Sequence, residues 1–185
     1  MNERPTSLAA IETEVWHQLG LAVQDKAHGW RTPVLATIAG DTADARTVIL
    51  REVDEKDRQH VVYTDERAGK VSQVHEHPRG TLVMWSPQLG WQLRCRVRLD
   101  IEMSGLAVTS RWARVKLSPT AQDYLSPQPP GMRLADDEAP THAAVERTHF
   151  AVIVAQVLSI DWLELHPQGH RRALFDGDNT HWRQP

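Results

Sequence analysis

The chain has 185 residues and 41% hydrophobic content, enough to bury a core, and one domain over 1–185 is expected. Its 21 lysines and arginines meet 24 acidic residues for a net charge of -3, so nothing global draws it to nucleic acid or an anionic membrane, and any anion site has to be local. Cys95 is the only cysteine, which excludes an intrachain disulfide and a multi-cysteine zinc site. Apolar runs too short for a bilayer, and polar and acidic residues among the first five, give the expectation of a cytoplasmic chain with no membrane partner.

Leu8, Ile11, Val15, Leu19 and Val23 recur every three or four residues, which predicts an amphipathic helix from Ser7, its cap, to Gln24. Strands are expected over residues 34–38, 45–53 and 60–64, with Ala39-Gly40-Asp41 turning the first into the second. Residues 65–77 read as a helix capped by Asp65 and stopped by Pro78. Strands return at 80–85 and 90–103, and a helix follows over 109–125, with Pro119 at a break or at a new first turn. The four prolines of 126–140 make that stretch a loop within the domain. Strands at 149–158, 160–165 and 171–175 end the pattern. Without regular strand-helix alternation, the fold class is mainly β with flanking helices, an antiparallel barrel.

Several stretches carry chemistry. In Arg46-Thr47-Val48-Ile49-Leu50-Arg51, strand alternation puts Thr47, Ile49 and Arg51 on one face and the other three on the opposite one, with an arginine at each rim. Tyr63 and Thr64 end a strand just before Arg67 and Lys70 open a helix, so a hydroxyl, backbone N–H groups and cations converge as a phosphate monoester requires. An ordinary capped helix with surface cations is the plainer account. Gln92, Arg94, Arg96 and Arg98 share one strand face; Gln92 can donate to and accept from a heteroaromatic edge, and the arginines beside Trp85 and Trp91 also suit an RNA stripe. Arg171 and Arg172 begin the final strand. His75-Glu76-His77 is the densest histidine cluster, but its spacing splits across helix faces, so no metal is expected.

The order of R-T-V-I-L-R at 46–51, Y-T-D-E-R-A-G-K at 63–70 and W-Q-L-R at 91–94 resembles the pyridoxamine 5'-phosphate oxidase-like family of FMN-binding split barrels, most closely over 33–98. The resemblance implies a split β-barrel, FMN as cofactor, and a homodimer with the flavin at its interface. It also implies that Arg46 and Lys70 hold the phosphate, that Thr47, Val48, Ile49 and Leu50 give backbone contacts, and that Tyr63 and Thr64 lie beside the flavin. Arg51 stands where the oxidase has a lysine near ring and substrate, and Gln92 matches a ring-contacting glutamine from the partner; these two are the candidates on the catalytic side. Arg67 is placed to replace a cation missing at 68–69, and Arg172 or Arg171 to replace a final flavin arginine. Trp162 is offset by one from the family tryptophan, which turns it to the other face. The oxidase's substrate histidine has no counterpart. The implied function is therefore an FMN-dependent oxidoreductase for an unassigned small molecule, against the alternatives of a non-catalytic flavin module and a nucleic-acid-binding barrel.

Overall fold

The computed structural model describes residues 4–134 and 149–185. Helix α1 (Leu8–Gln24) begins at Ser7, whose hydroxyl accepts from the Ala10 amide as an N-cap should. It lays Ile11, Val15, Trp16, Leu19 and Ala22 into the core. Each of Ile11, Val15 and Leu19 contributes about 1.5–3 kcal/mol on burial.

Nine strands follow: β1 (Val34–Ala39), β2 (Thr42–Thr47), β3 (Leu50–Asp54), β4 (Gln59–Asp65), β5 (Arg79–Ser86), β6 (Trp91–Glu102), β7 (Phe150–Glu164), β8 (Arg171–Phe175) and β9 (His181–Arg183). Helix α2 (Gly69–Glu76) lies between β4 and β5; α3 (Leu106–Val115) and a short 3₁₀ helix (Pro119–Tyr124) follow β6. All pairings are antiparallel, in the order β2-β1-β5-β6-β7-β4-β3, with β8 and β9 added beside β7. The two edges of that path, β2 and β3, are sequence neighbours. The sheet therefore curls on itself around an interior that includes Leu35, Leu82, Leu93, Cys95, Ile160 and Trp162. This is the antiparallel barrel with flanking helices that the pattern predicts.

Four local expectations need correction. The stretch 45–53 is two strands: the Val48 and Leu50 amides leave the ladder and donate to Pro33 and Arg31 carbonyls, so alternation does not run through from Arg46 to Arg51. Asp65 does not cap α2; it is buried at the end of β4, and the cap position is Ala68, with no side-chain acceptor. Residues 149–165 form one strand, because a bulge takes up the change of phase: Arg96 pairs with Ser159 but Val97 with Val157, leaving Leu158 over. The helix expected over 109–125 is α3, which starts earlier, and a separate 3₁₀ helix that Pro119 opens. Of the proline-rich stretch, 126–134 is irregular and 135–140 lies outside the described residues.

Cross-strand rows fix which way each side chain points. Arg46, Leu35, Leu82 and Cys95 lie in one row that faces the interior side, while the row Gln92, Leu163 and Arg172 faces outward, as do Arg94 and Asp161. Gly90 sets the start of β6: its φ is +65°, and a Cβ there would meet the Leu165 carbonyl at 2.7 Å. No helix among the described residues is long and apolar enough to cross a membrane.

Candidate functional site

Two short elements bring the predicted phosphate residues together. Lys70 sits in the first turn of α2 and its ammonium donates to the Thr64 hydroxyl at 3.1 Å. Three residues on, and so on the same helix face, Gln73 accepts from Arg46 at 2.9 Å and from the Thr37 hydroxyl at 2.6 Å. Arg46 also donates to Thr37 at 2.5 Å and to the Leu35 carbonyl at 3.2 Å, and pairs with Asp44. Gln73 donates in turn to Asp44 at 2.9 Å. Strands β2 and β4 are not neighbours in the sheet, so it is α2 that joins Arg46 to Thr64.

The electrostatics of this cluster favour an anion. Half-buried Lys70 has no carboxylate within ion-pair distance among the described residues. Burial, and then the Arg46 charge, push its pKa down, with Asp65 and Asp44 opposing more weakly. Asp44, exposed at the rim, is held below the usual carboxylate range, chiefly by the Gln73 hydrogen bond. No side chain caps the first turn of α2; its Val71 N–H donates to the Ala68 carbonyl at 2.8 Å, and the earlier amides are open to a ligand. A dianionic phosphate beside Lys70 would relieve the repulsion between two cations and take the hydrogen bonds no side chain supplies.

The other expected residues are spread around the barrel. Arg51, at the bulge between Leu50 and Glu52, stacks its guanidinium over the Tyr63 ring at 5.4 Å. Its Nε is buried without a partner, and no carboxylate pairs with it among the described residues. The Tyr63 phenol donates to Glu52 at 2.9 Å and is pushed up to about 12, first by burial and then by that bond. Val48 and Leu50 are buried, while Thr47 and Ile49 are exposed along the connection from β2 to β3.

Arg67 is engaged elsewhere: it binds the buried Asp65 carboxylate at 3.0 and 2.7 Å and reaches the carbonyls of Ser126, Pro127 and Gln128 at 2.9, 3.2 and 3.4 Å. It fastens the proline-rich stretch to the approach to α2. Gln92 and Arg172 share a row on the outer face, where Arg172 donates twice to Asp161. Trp162, on the interior face, is fully buried. Thr37 and Gln73 were not anticipated; the signal for Gln73 was its position one helical turn beyond Lys70.

The structure thus forms two groups. Arg46, Thr64 and Lys70 meet beneath α2 on the interior side of the sheet, and Gln92 and Arg172 stand on the outward side. Opposite faces of one sheet cannot both contact one small ligand within a single chain.

Comparison with known proteins agrees with this architecture. Residues 13–102 match the family model described as pyridoxamine 5'-phosphate oxidase, FMN-binding domain. No curated protein matches the sequence significantly. Among solved structures, a pyridoxamine 5'-phosphate oxidase-related, FMN binding protein from Nostoc punctiforme superposes with a TM-score of 0.71 at 22% identity, covering 92% of this chain and 93% of that one. PhzG from Burkholderia lata, in complex with tetrahydrophenazine-1-carboxylic acid, gives 0.75 at 18% identity over 100% and 95%. A heme binding protein from Mycobacterium smegmatis gives 0.54 at 15% identity, over 95% of this chain and 60% of that one. At these identities the structural likenesses speak for the fold, and the family model speaks for residues 13–102. Residues 13–102 thus resemble that family's FMN-binding domain, and the fold is that of the pyridoxamine 5'-phosphate oxidase-like split barrels.

Proposed function

We propose that this chain is a homodimeric flavoprotein that holds FMN between two copies and uses it to oxidise or reduce a small organic molecule. The observation that carries the reading is Lys70: a half-buried cation beside Arg46, on a hydroxyl and an uncapped helix start, with no acidic partner among the described residues. In this reading Lys70, Arg46, Thr64 and the first-turn amides of α2 hold the phosphate. The stretch from Thr47 to Leu50, out of the sheet ladder at Val48 and Leu50, supplies backbone contacts to the ring system. Gln92 and Arg172 come from the second copy, which explains why they lie on the outward face. That face also exposes Val34 and Trp85, apolar surface suited to a subunit contact.

FMN, when bound, supplies the hydride or electron transfer. The chain's own groups bind and orient. Arg51, hydrogen-bonded to Tyr124 and stacked on Tyr63, offers a fixed positive charge toward an anionic or electron-rich group of the substrate or ring. Gln92 offers a donor and an acceptor to a ring edge.

Purified protein is expected to be yellow or to take up added FMN with one site per chain, and to elute as a dimer. The absorption spectrum separates flavin from heme. A colourless protein that binds no added FMN overturns the reading, and FMN that no donor reduces leaves a binding module in place of an enzyme.

A further inference from the structure

A second anion-seeking region lies on the outer face of the barrel, four residues along β6 from Gln92 and so roughly 13 Å from it. Here Arg94, Arg96 and Arg183 border a pocket of about 340 Å³ between β5, β6, β7 and the chain around β9. Asp161 gathers three arginines: Arg94 at 2.6 Å, Arg172 at 2.8 Å and Arg183 at 3.6 Å. Arg96 has no ion-pair partner among the described residues. Asp176 is the other carboxylate on the pocket wall. Three arginines against two aspartates leave the pocket walls with one positive charge in excess.

The floor of the pocket points the same way. The β7 bulge turns Ser159 into it, and Ser159 is only 7% exposed. It lines the pocket beside Arg94, Arg96 and Asp161. A hydroxyl there can donate to an incoming oxygen.

Beyond Thr81, Arg96 and Ser159 the pocket opens into a second concavity of about 510 Å³, whose walls include Ala36, Ile38, Ala43 and Leu158. Ile38 and Leu158 are among the exposed large apolar side chains. A cationic pocket is thus continuous with an apolar groove, and both fall in the size range of small-molecule sites.

We propose that this double concavity is a binding site for an amphipathic organic anion, an aryl or alkyl phosphate or carboxylate. Its acid group is held by Arg96, Arg94, Arg183 and Ser159, and its apolar body lies along Ile38 and Leu158. Within one chain the site is separate from the Lys70 cluster, which lies on the interior side of the sheet.

The test is calorimetric titration with phenyl phosphate and with inorganic phosphate, with excess FMN present so that an FMN site at Lys70 is filled. Phenyl phosphate is expected to bind at least tenfold more tightly than inorganic phosphate. Arg96→Ala is expected to weaken phenyl phosphate roughly tenfold or more, the loss of one charge-assisted hydrogen bond. Leu158→Asp is expected to remove the preference for the phenyl compound. Both variants should keep wild-type FMN affinity, or the wild-type lack of it. Absence of binding, equal affinity for the two phosphates, or unchanged affinity in Arg96→Ala overturns the proposal. So does loss of binding in Lys70→Ala with none in Arg96→Ala, which would place the ligand at the other cluster.

Discussion

Acid offers a quantitative test of the core, because His60 is completely buried and neither ring nitrogen has a partner. The ring packs 5.7 Å from Trp16 of α1. Burial, and then the charge of Arg58, lower its pKa from 6.5 to about 4. In the unfolded chain the imidazole takes a proton as pH falls through 6.5; in the folded chain it stays neutral until about 4. Between those values the unfolded state binds one more proton, so stability falls with pH and the whole effect is spent below about 4. Its size is about 3 kcal/mol. His60→Leu, of similar volume, removes the titration and two unpaired polar atoms, so it should be as stable as wild type or more so at neutral pH. Urea unfolding of both proteins from pH 4 to pH 8 isolates the histidine, since carboxylate titrations are common to the two and cancel in the difference. The stability difference should grow by about 3 kcal/mol from the neutral to the acid end of that range. A difference that stays flat with pH would refute the reasoning.

Lys70→Ala and Arg46→Ala are each expected to weaken FMN by about 1.5–3 kcal/mol, read by fluorescence titration, and unchanged affinity in both would remove the phosphate from this cluster. Arg67→Ala leaves Asp65 buried without its cation and should destabilise the fold by about 3 kcal/mol. It should also open residues 126–134 to protease, whereas Arg67→Ala with Asp65→Asn should recover much of the stability but not the protection. Mixed dimers of Lys70→Ala and Gln92→Ala chains test the shared site. One of the two sites then carries both defects and the other neither, so half the sites should regain wild-type affinity; uniformly weak sites would mean that Lys70 and Gln92 serve the same flavin from one chain.

Much of the scaffold was legible because local chemistry and tertiary structure agree there. Ser7 caps α1 as its position predicts, and the apolar spacing after it matches the buried face. The alternation of β6 survives intact because one side faces the core throughout, from Trp91 to Leu99. The misreadings have a shared cause in pairing across the sheet. Nothing in Val48-Ile49 marks a strand end; the break exists because the Val48 and Leu50 amides find the Pro33 and Arg31 carbonyls, far from them in the local pattern. The phase slip at Leu158 looks like a terminus in sequence, and only the partner strand shows it to be a bulge. Asp65 resembles a helix cap by spacing, but Arg67 and burial claim it. In the site, residue types and order identified Lys70, Arg46 and Thr64, while the role of Gln73 depends on contacts between α2 and β1 and β2 that sequence order does not display.

Helix α2 has only eight residues, too few to hold its shape in water alone. It is secured at one end by Lys70 on Thr64 and farther along by Gln73 on Arg46 and Thr37. Loosening either fastening frees the backbone amides and the side-chain cations together. Affinity for an anion and the exchange rate of the α2 amides are therefore two readings of a single opening equilibrium. A change at Gln73 would weaken that affinity from a position that need not touch the bound group.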